Sequence, residues 1–88
     1  MASISRAAHD AALTQLAAIC ADEDLQNHSR LQAARIICGS SAVTSPVYEA
    51  AVAALREILT KGSLSEQIDA AEILLNLRIA AGDPVAAQ

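Results

Sequence analysis

The sequence predicts a single all-α domain spanning residues 1–88, and three observations support this. Alanine occupies 21 of the 88 positions, and Leu, Ile and Val together occupy 22. Such a composition favours helices, because Ala and Leu have high helix propensities. Tyr48 is the single aromatic residue, whereas strands are enriched in aromatic and β-branched residues. The three glycines each follow an apolar stretch with helical periodicity, which is typical of helix ends.

The first helix is predicted over residues 4–21 and the second over residues 26–38. Ser3 and Ser5 are both common N-cap residues, so the first helix is expected to begin beside one of them. Its apolar residues repeat with the helical period and form one stripe. The members of that stripe are Ala12, Leu13, Leu16, Ile19 and Cys20.

The third helix is predicted over residues 46–61 and the fourth over residues 64–81, followed by a short tail over residues 83–88. A Ser-Pro pair at the start of the third helix favours initiation there, because proline is accepted in a first helical turn. At the start of the fourth helix, Ser63 and Glu66 have the spacing of a capping box. Glycines are expected to end both helices.

The fourth helix is the most informative element, because its apolar surface is too wide for one contact. Its predicted core face consists of Leu64, Ile68, Ala71, Leu74, Leu75 and Ile79. Ile73, Leu77 and Ala80 are predicted to extend beyond that face. A terminal helix with so wide an apolar arc needs cover from two sides, whereas the end unit of a helical repeat protein usually has a polar outer face.

The two halves of the chain are similar to each other. With an offset of 39, residues of the first helix align with residues of the third, for example Leu16 with Leu55. With an offset of 37, residues of the second helix align with residues of the fourth, for example Leu31 with Ile68. A helix pair repeated after about 38 residues is typical of an α-solenoid unit. We therefore expect two antiparallel hairpins stacked on each other.

The segments at 30–39, 52–59 and 67–74 resemble the paired helices of HEAT and armadillo repeats, with their basic–apolar–x–Ala–Ala pattern. This resemblance covers about residues 10–80 and implies a protein-binding scaffold. The second hairpin lacks the Asp or Pro pair typical of the turn in those repeats. The Ala-Ala-Arg string of the second helix is also similar to helical hairpins of phage terminase small subunits, which would imply an oligomer that handles DNA. Neither resemblance implies any catalytic residue.

The sequence predicts no catalytic, cofactor or metal site, and we expect the protein not to be an enzyme. Cys20, Cys38, His9 and His28 do not have the spacing of a zinc site. Both cysteines are expected to be small buried residues without a disulfide. The one acidic cluster, Asp22–Asp24, is interpreted as a solvated turn, with a docking patch for a basic partner as the alternative.

A net charge of −4 argues against a broad DNA-binding surface. The start of the chain does not resemble a signal peptide, and the apolar stretches are shorter than a membrane span needs. We therefore expect a cytoplasmic protein with no membrane contact, and nucleic acid as a partner only if the chain forms oligomers.

The function predicted on these grounds is a non-catalytic protein-binding module or adaptor that self-associates through its last helix. The residues expected to contact the partner are Ile73, Leu77, Arg78 and Ala80, together with Glu49, Ala53 and Arg56 of the third helix. One alternative is a DNA-handling oligomer in which three arginines, Arg30, Arg35 and Arg56, converge after assembly. A second alternative is a small phage-type inhibitor that blocks a host protein.

Overall fold

The computed structural model describes residues 3–79 and contains four α-helices. They are α1 (Arg6–Ala21), α2 (Asn27–Cys38), α3 (Ser45–Lys61) and α4 (Leu64–Leu75). No strand occurs among the described residues, so the prediction of an all-α fold is confirmed. The observed helices begin within two residues of the predicted positions, and the first three end where predicted.

Serine side chains initiate the first helix of one hairpin and the second helix of the other. The Ser5 hydroxyl accepts a hydrogen bond from the Ala8 amide at 3.2 Å. At the start of α4 the predicted capping box is present: the Ser63 hydroxyl accepts from the Glu66 amide at 3.4 Å. In return, the Glu66 carboxylate accepts from the Ser63 amide at 2.8 Å. Two otherwise unpaired amides are satisfied by this exchange.

The fourth helix is shorter than predicted, because it ends at Leu75 rather than near residue 81. The Asn76 amide donates to the carbonyls of both Glu72 and Ile73, at 3.3 and 3.2 Å. Shared hydrogen bonds of this kind tighten the last turn of a helix and use up its free carbonyls. Arg78 therefore lies beyond the helix end, and Ala80 lies outside the described residues.

Each helix packs against at least two of the others. α1 contacts α2 and α3, while α4 contacts α3 and α2. The Asn27 amide donates to the Glu66 carboxylate at 3.1 Å near the start of both α2 and α4. Further along the same two helices, Arg35 lies 3.4 Å from Glu72, so α2 and α4 run in the same direction. This pattern is compatible with two stacked hairpins, while the likeness to HEAT repeats stays a prediction.

The core is built from side chains of all four helices. Alanine supplies five of its twelve buried apolar residues, and small side chains allow helices to approach each other closely. The members of the core are Leu13, Cys20, Leu31, Ala33, Ala34, Ile37, Ala51, Ala54, Leu55, Ile58, Ala70 and Ile73.

One charged side chain is buried within this core, and it joins three helices. Arg30 of α2 is 5% exposed. Its Nε donates to the Cys20 carbonyl at the end of α1, at 2.9 Å. Its Nη1 lies 2.7 Å from Glu57 Oε1 on α3. Because a buried charge needs both a counter-charge and hydrogen bonds, these partners fix where the ends of α1 and α3 meet α2.

Candidate functional site

The rotation of α4 about its axis differs from the predicted one. Ile73, predicted to extend beyond the core face, is 5% exposed, whereas Leu75, predicted for the core face, is 84% exposed. Leu64 and Ile68 are likewise exposed. The helix has two apolar arcs, and periodicity alone does not select between them. The bond from Asn27 to Glu66 helps to select one, because Glu66 and Ile73 lie on the same side of α4.

We call the exposed apolar arc of α4, together with apolar residues of the neighbouring α3, the C-terminal face. On α4 it comprises Leu64, Ile68, Ala71 and Leu75, which are spaced to share one side of the helix. On α3 it comprises Tyr48, Val52 and Leu59. Tyr48 and Leu59 are more than one-third exposed. Large apolar surfaces of this kind mark interaction sites in soluble proteins.

Aligned positions in the two hairpins explain why this face is open. Leu31 of α2 is 5% exposed, whereas Ile68, its counterpart at an offset of 37, is 61% exposed. On α1, Cys20 is fully buried, whereas its counterpart Leu59 on α3 is 38% exposed. Residues of the first hairpin that are buried on its inner side thus correspond to exposed residues at the free end of the second.

At the opposite end of the molecule, residues of the first hairpin are exposed and their counterparts in the second hairpin are buried. Ile73 is buried, whereas its counterpart Ile36 on α2 is 48% exposed. On α1, Ala12 is exposed and Ile19 is half-buried, whereas their counterparts Ala51 and Ile58 belong to the core. We call the surface formed by Ala12, Ile19 and Ile36 the N-terminal face. Of its members Ile36 alone is a large apolar residue that is more than one-third exposed, whereas the C-terminal face has five such residues.

The structure separates the residues that sequence reasoning assigned to a partner surface. Glu49, Ala53 and Arg56 do lie together, and with Tyr48 and Val52 they line a shallow groove of about 320 Å³ on α3. Among the others, Leu77 is half-buried and Arg78 is exposed. Ile73 packs in the core, so its assignment to an exposed surface is wrong.

Sequence reasoning missed Leu64, Ile68 and Leu75 as surface residues, because it placed them in the core. For Ile68, a signal of its exposure was present in the repeat itself. If α4 is the last helix of a stack, the residues aligned with the buried Leu31 and Ala34 of α2 have no neighbour to cover them. Aligning the repeats would have identified Ile68 as exposed, whereas Leu64 aligns with Leu25, which is itself 39% exposed.

Arg30 is a buried charged residue, and its contacts with Cys20 and Glu57 keep it buried. The hydrogen bond from Arg30 holds the pKa of Glu57 below its ordinary value. The side chain of Arg30 is 6% exposed, and it is therefore unable to join Arg35 and Arg56 in a surface patch. This contradicts the role of Arg30 in the DNA-handling alternative, which otherwise stays a prediction.

Neither cysteine has the properties of a reactive thiol. Burial raises the pKa of the Cys20 thiol to about 11, although nearby Arg30 opposes this shift. Burial also raises the pKa of Cys38. Both cysteines are free, and a thiol with a raised pKa is protonated and weakly nucleophilic at neutral pH.

Within residues 3–79, His, Cys, Asp and Glu side chains form no group of three or more that could hold a metal ion. None of the helices in that range combines the length and apolar character that crossing a bilayer requires. Comparison of the chain with family models, with curated proteins and with solved structures found no match.

Proposed function

We propose that this chain is a non-catalytic protein-binding module that uses its C-terminal face to bind another protein, a second copy of the chain being the first candidate. The observation that carries the proposal is the exposure of Leu64, Ile68 and Leu75 on one side of α4. All three are more than half exposed, although each belongs to a residue type that is usually buried.

Covering the exposed side chains of α4 releases a free energy that is large for a small domain. Burying a Leu or Ile side chain contributes about 1.5–3 kcal/mol. Three such side chains on one helix therefore represent a gain comparable to the low end of the stability of a small domain, about 5 kcal/mol. A partner that covers the C-terminal face recovers this free energy, less the entropy lost on association.

The surroundings of this apolar arc favour a protein partner. Glu72 lies on α4 beside the arc, and Arg56 lies in the adjoining groove of α3. An apolar centre with charged residues at its rim is the usual composition of a protein–protein interface. Tyr48, at the edge of the face, is of a residue type enriched among the side chains that dominate binding energy.

The test compares two single substitutions that each add one negative charge to an exposed helical position. Leu75→Glu changes the most exposed apolar residue of the C-terminal face, and Thr14→Glu changes an exposed residue of α1 that belongs to neither end face. Self-association is measured by size exclusion with light scattering. Binding to other proteins is measured by affinity capture from a lysate of the source cells.

We expect wild type and Thr14→Glu to bind the same partner, and Leu75→Glu to lose it while keeping its helical circular dichroism signal. Loss of a foreign partner would support the inhibitor or adaptor form of this function, and loss of self-association would support the oligomeric form. A wild-type chain that neither self-associates nor captures a protein would contradict the proposal, as would binding that Leu75→Glu leaves intact.

A further inference from the structure

We infer that the occupant of the C-terminal face is the N-terminal face of a second copy of this chain, so that copies associate head to tail. The inference rests on the proposed function, because it concerns the same face and names what binds there. It follows from the way the two hairpins already pack against each other within one chain.

The junction between α2 and α4 provides the template. There, Leu31 of α2 and Ile73 of α4 are both 5% exposed. The counterpart of Leu31 is Ile68 on the C-terminal face, and the counterpart of Ile73 is Ile36 on the N-terminal face. A second copy stacked in the same way would bring Ile68 of one chain to Ile36 of the next. Both side chains are about half exposed or more, and both would become buried.

The residues between α1 and α3 support the same head-to-tail contact. Cys20 is buried on α1, and Ala51 and Ile58 are buried on α3. Their counterparts are Leu59 on the C-terminal face and Ala12 and Ile19 on the N-terminal face. Each end face therefore has apolar residues at the repeat positions that pack against each other in the inner junction. The two end faces of different copies could contact each other in the same way.

The charged residues between α2 and α4 would also pair between copies that stack in this way. Arg35 and Glu72 are counterparts of each other at the offset of 37, and they lie 3.4 Å apart on neighbouring parallel helices. Continuing the stack places Glu72 of one copy beside Arg35 of the next. Within residues 3–79, no contact between helices resembles a pairing of two C-terminal faces.

Head-to-tail contacts differ from two-fold dimer contacts in that each copy uses two different surfaces. Such contacts generate a ring or an open chain of copies. They also allow a complementation experiment, because a copy damaged at one end keeps its other end intact. A mixture of two copies damaged at opposite ends retains one complete junction.

The experiment uses Ile68→Glu and Ile36→Glu in the full chain, with Thr14→Glu as the control. Size exclusion with light scattering measures mass at high micromolar concentration. We expect wild type and Thr14→Glu to form species larger than a monomer, and each of the two Ile→Glu variants alone to be monomeric. An equal mixture of the two variants is expected to form a dimer that does not grow further.

Other outcomes would overturn the inference in distinguishable ways. Loss of association in Ile68→Glu alone, with no rescue on mixing, would assign the face to two-fold pairing. A monomeric wild type that captures a foreign protein through Leu75 would reject the head-to-tail contact and leave the proposed function standing. If circular dichroism shows that either variant is unfolded, Ile68→Gln and Ile36→Gln apply the same test without adding charge.

Discussion

The two ends of this molecule both contain residues that align with its inner junction, yet the two ends differ in apolar character. At the first end, Ala12 and Ile36 are exposed on α1 and α2, beside polar residues such as Gln15. At the second end, Leu64 and Leu75 are 74% and 84% exposed. The counterparts of Ala12 and Ile36, and those of Leu59 and Ile68 at the second end, are all buried in the inner junction. Exposure is therefore decided by the presence of a neighbouring hairpin more than by the residue type at a position.

The largest expected effect comes from truncating aligned residues on the two sides of this comparison. Leu31→Ala removes a side chain that is 5% exposed, and we expect it to lower the free energy of unfolding by about 2–5 kcal/mol through loss of burial and the cavity left behind. Ile68→Ala changes its counterpart, which is 61% exposed. We expect a loss of no more than about 0.5 kcal/mol.

Urea denaturation at a protein concentration where the chain is monomeric measures both values. The low concentration matters because a bound copy would stabilise the folded state by mass action. Equal losses in the two variants would show that Ile68 is covered within the single chain, and the distinction between inner junction and free end would then fail.

Helix caps give a second, smaller comparison between the hairpins. Ser63→Ala removes one half of a reciprocal capping box, and we expect it to cost about 1 kcal/mol. Ser5→Ala removes a single 3.2 Å bond in an exposed first turn, and we expect a loss of about 0.5 kcal/mol, at the low end of the range for N-caps. Thermal or urea unfolding measures both. A larger loss for Ser5→Ala would show that the start of α1 supports the fold more than the start of α4.

Acid is expected to weaken the contacts that hold the two hairpins together. Hydrogen bonds from Arg30 hold the pKa of Glu57 below 4.5, and the bond from the Ser63 amide does the same for Glu66, aided by Asn27. A carboxyl with a lowered pKa in the folded state adds stability above its ordinary pKa. That stability is lost as the pH falls through the folded value.

Urea midpoints measured from neutral pH down to about pH 3 test this expectation. The wild-type midpoint should start to fall as the pH drops below 4.5, the ordinary pKa of these groups. Glu57→Gln and Glu66→Gln should each be less stable at neutral pH and show a shallower fall on acidification. A pH profile as steep as that of wild type in both variants would contradict a structural role for these two carboxylates.

Much of the fold could be predicted from the sequence, because local signals determine it. The Ser63 to Glu66 spacing located the start of α4, and the glycines located the ends of α2 and α3. The rotation of α4 could not be predicted from periodicity, since both of its arcs are apolar. Its contacts with Asn27 and Arg35 on α2 come from residues more than 35 positions away in sequence, which a reading of one helix at a time does not detect.

The buried ion pair was missed for the same reason. Arg30 looks like one of several surface arginines in the sequence, and Glu57 looks like the partner of Lys61 four residues later. In the structure Arg30 lies 2.7 Å from Glu57, whereas Lys61 lies 4.0 Å from it. The preference for Arg30 follows from its burial, because a charge removed from water interacts more strongly with a fixed partner than an exposed one does.

The smallest expected effect concerns the one ion pair that joins counterparts of the repeat. Arg35 and Glu72 are separated by 3.4 Å, and their side chains are 54% and 60% exposed. A double-mutant cycle with Arg35→Ala and Glu72→Ala should give a coupling free energy of about 0.5 kcal/mol or less in the monomer, and this coupling should decrease at about 0.5 M salt because exposed charges are screened.

If copies stack head to tail, the same two substitutions should weaken association more than they weaken folding, because each Glu72 then lies between two arginines. Light scattering on the single and double variants measures the second quantity. Association unaffected by Glu72→Ala would show that the apolar residues alone hold the copies together.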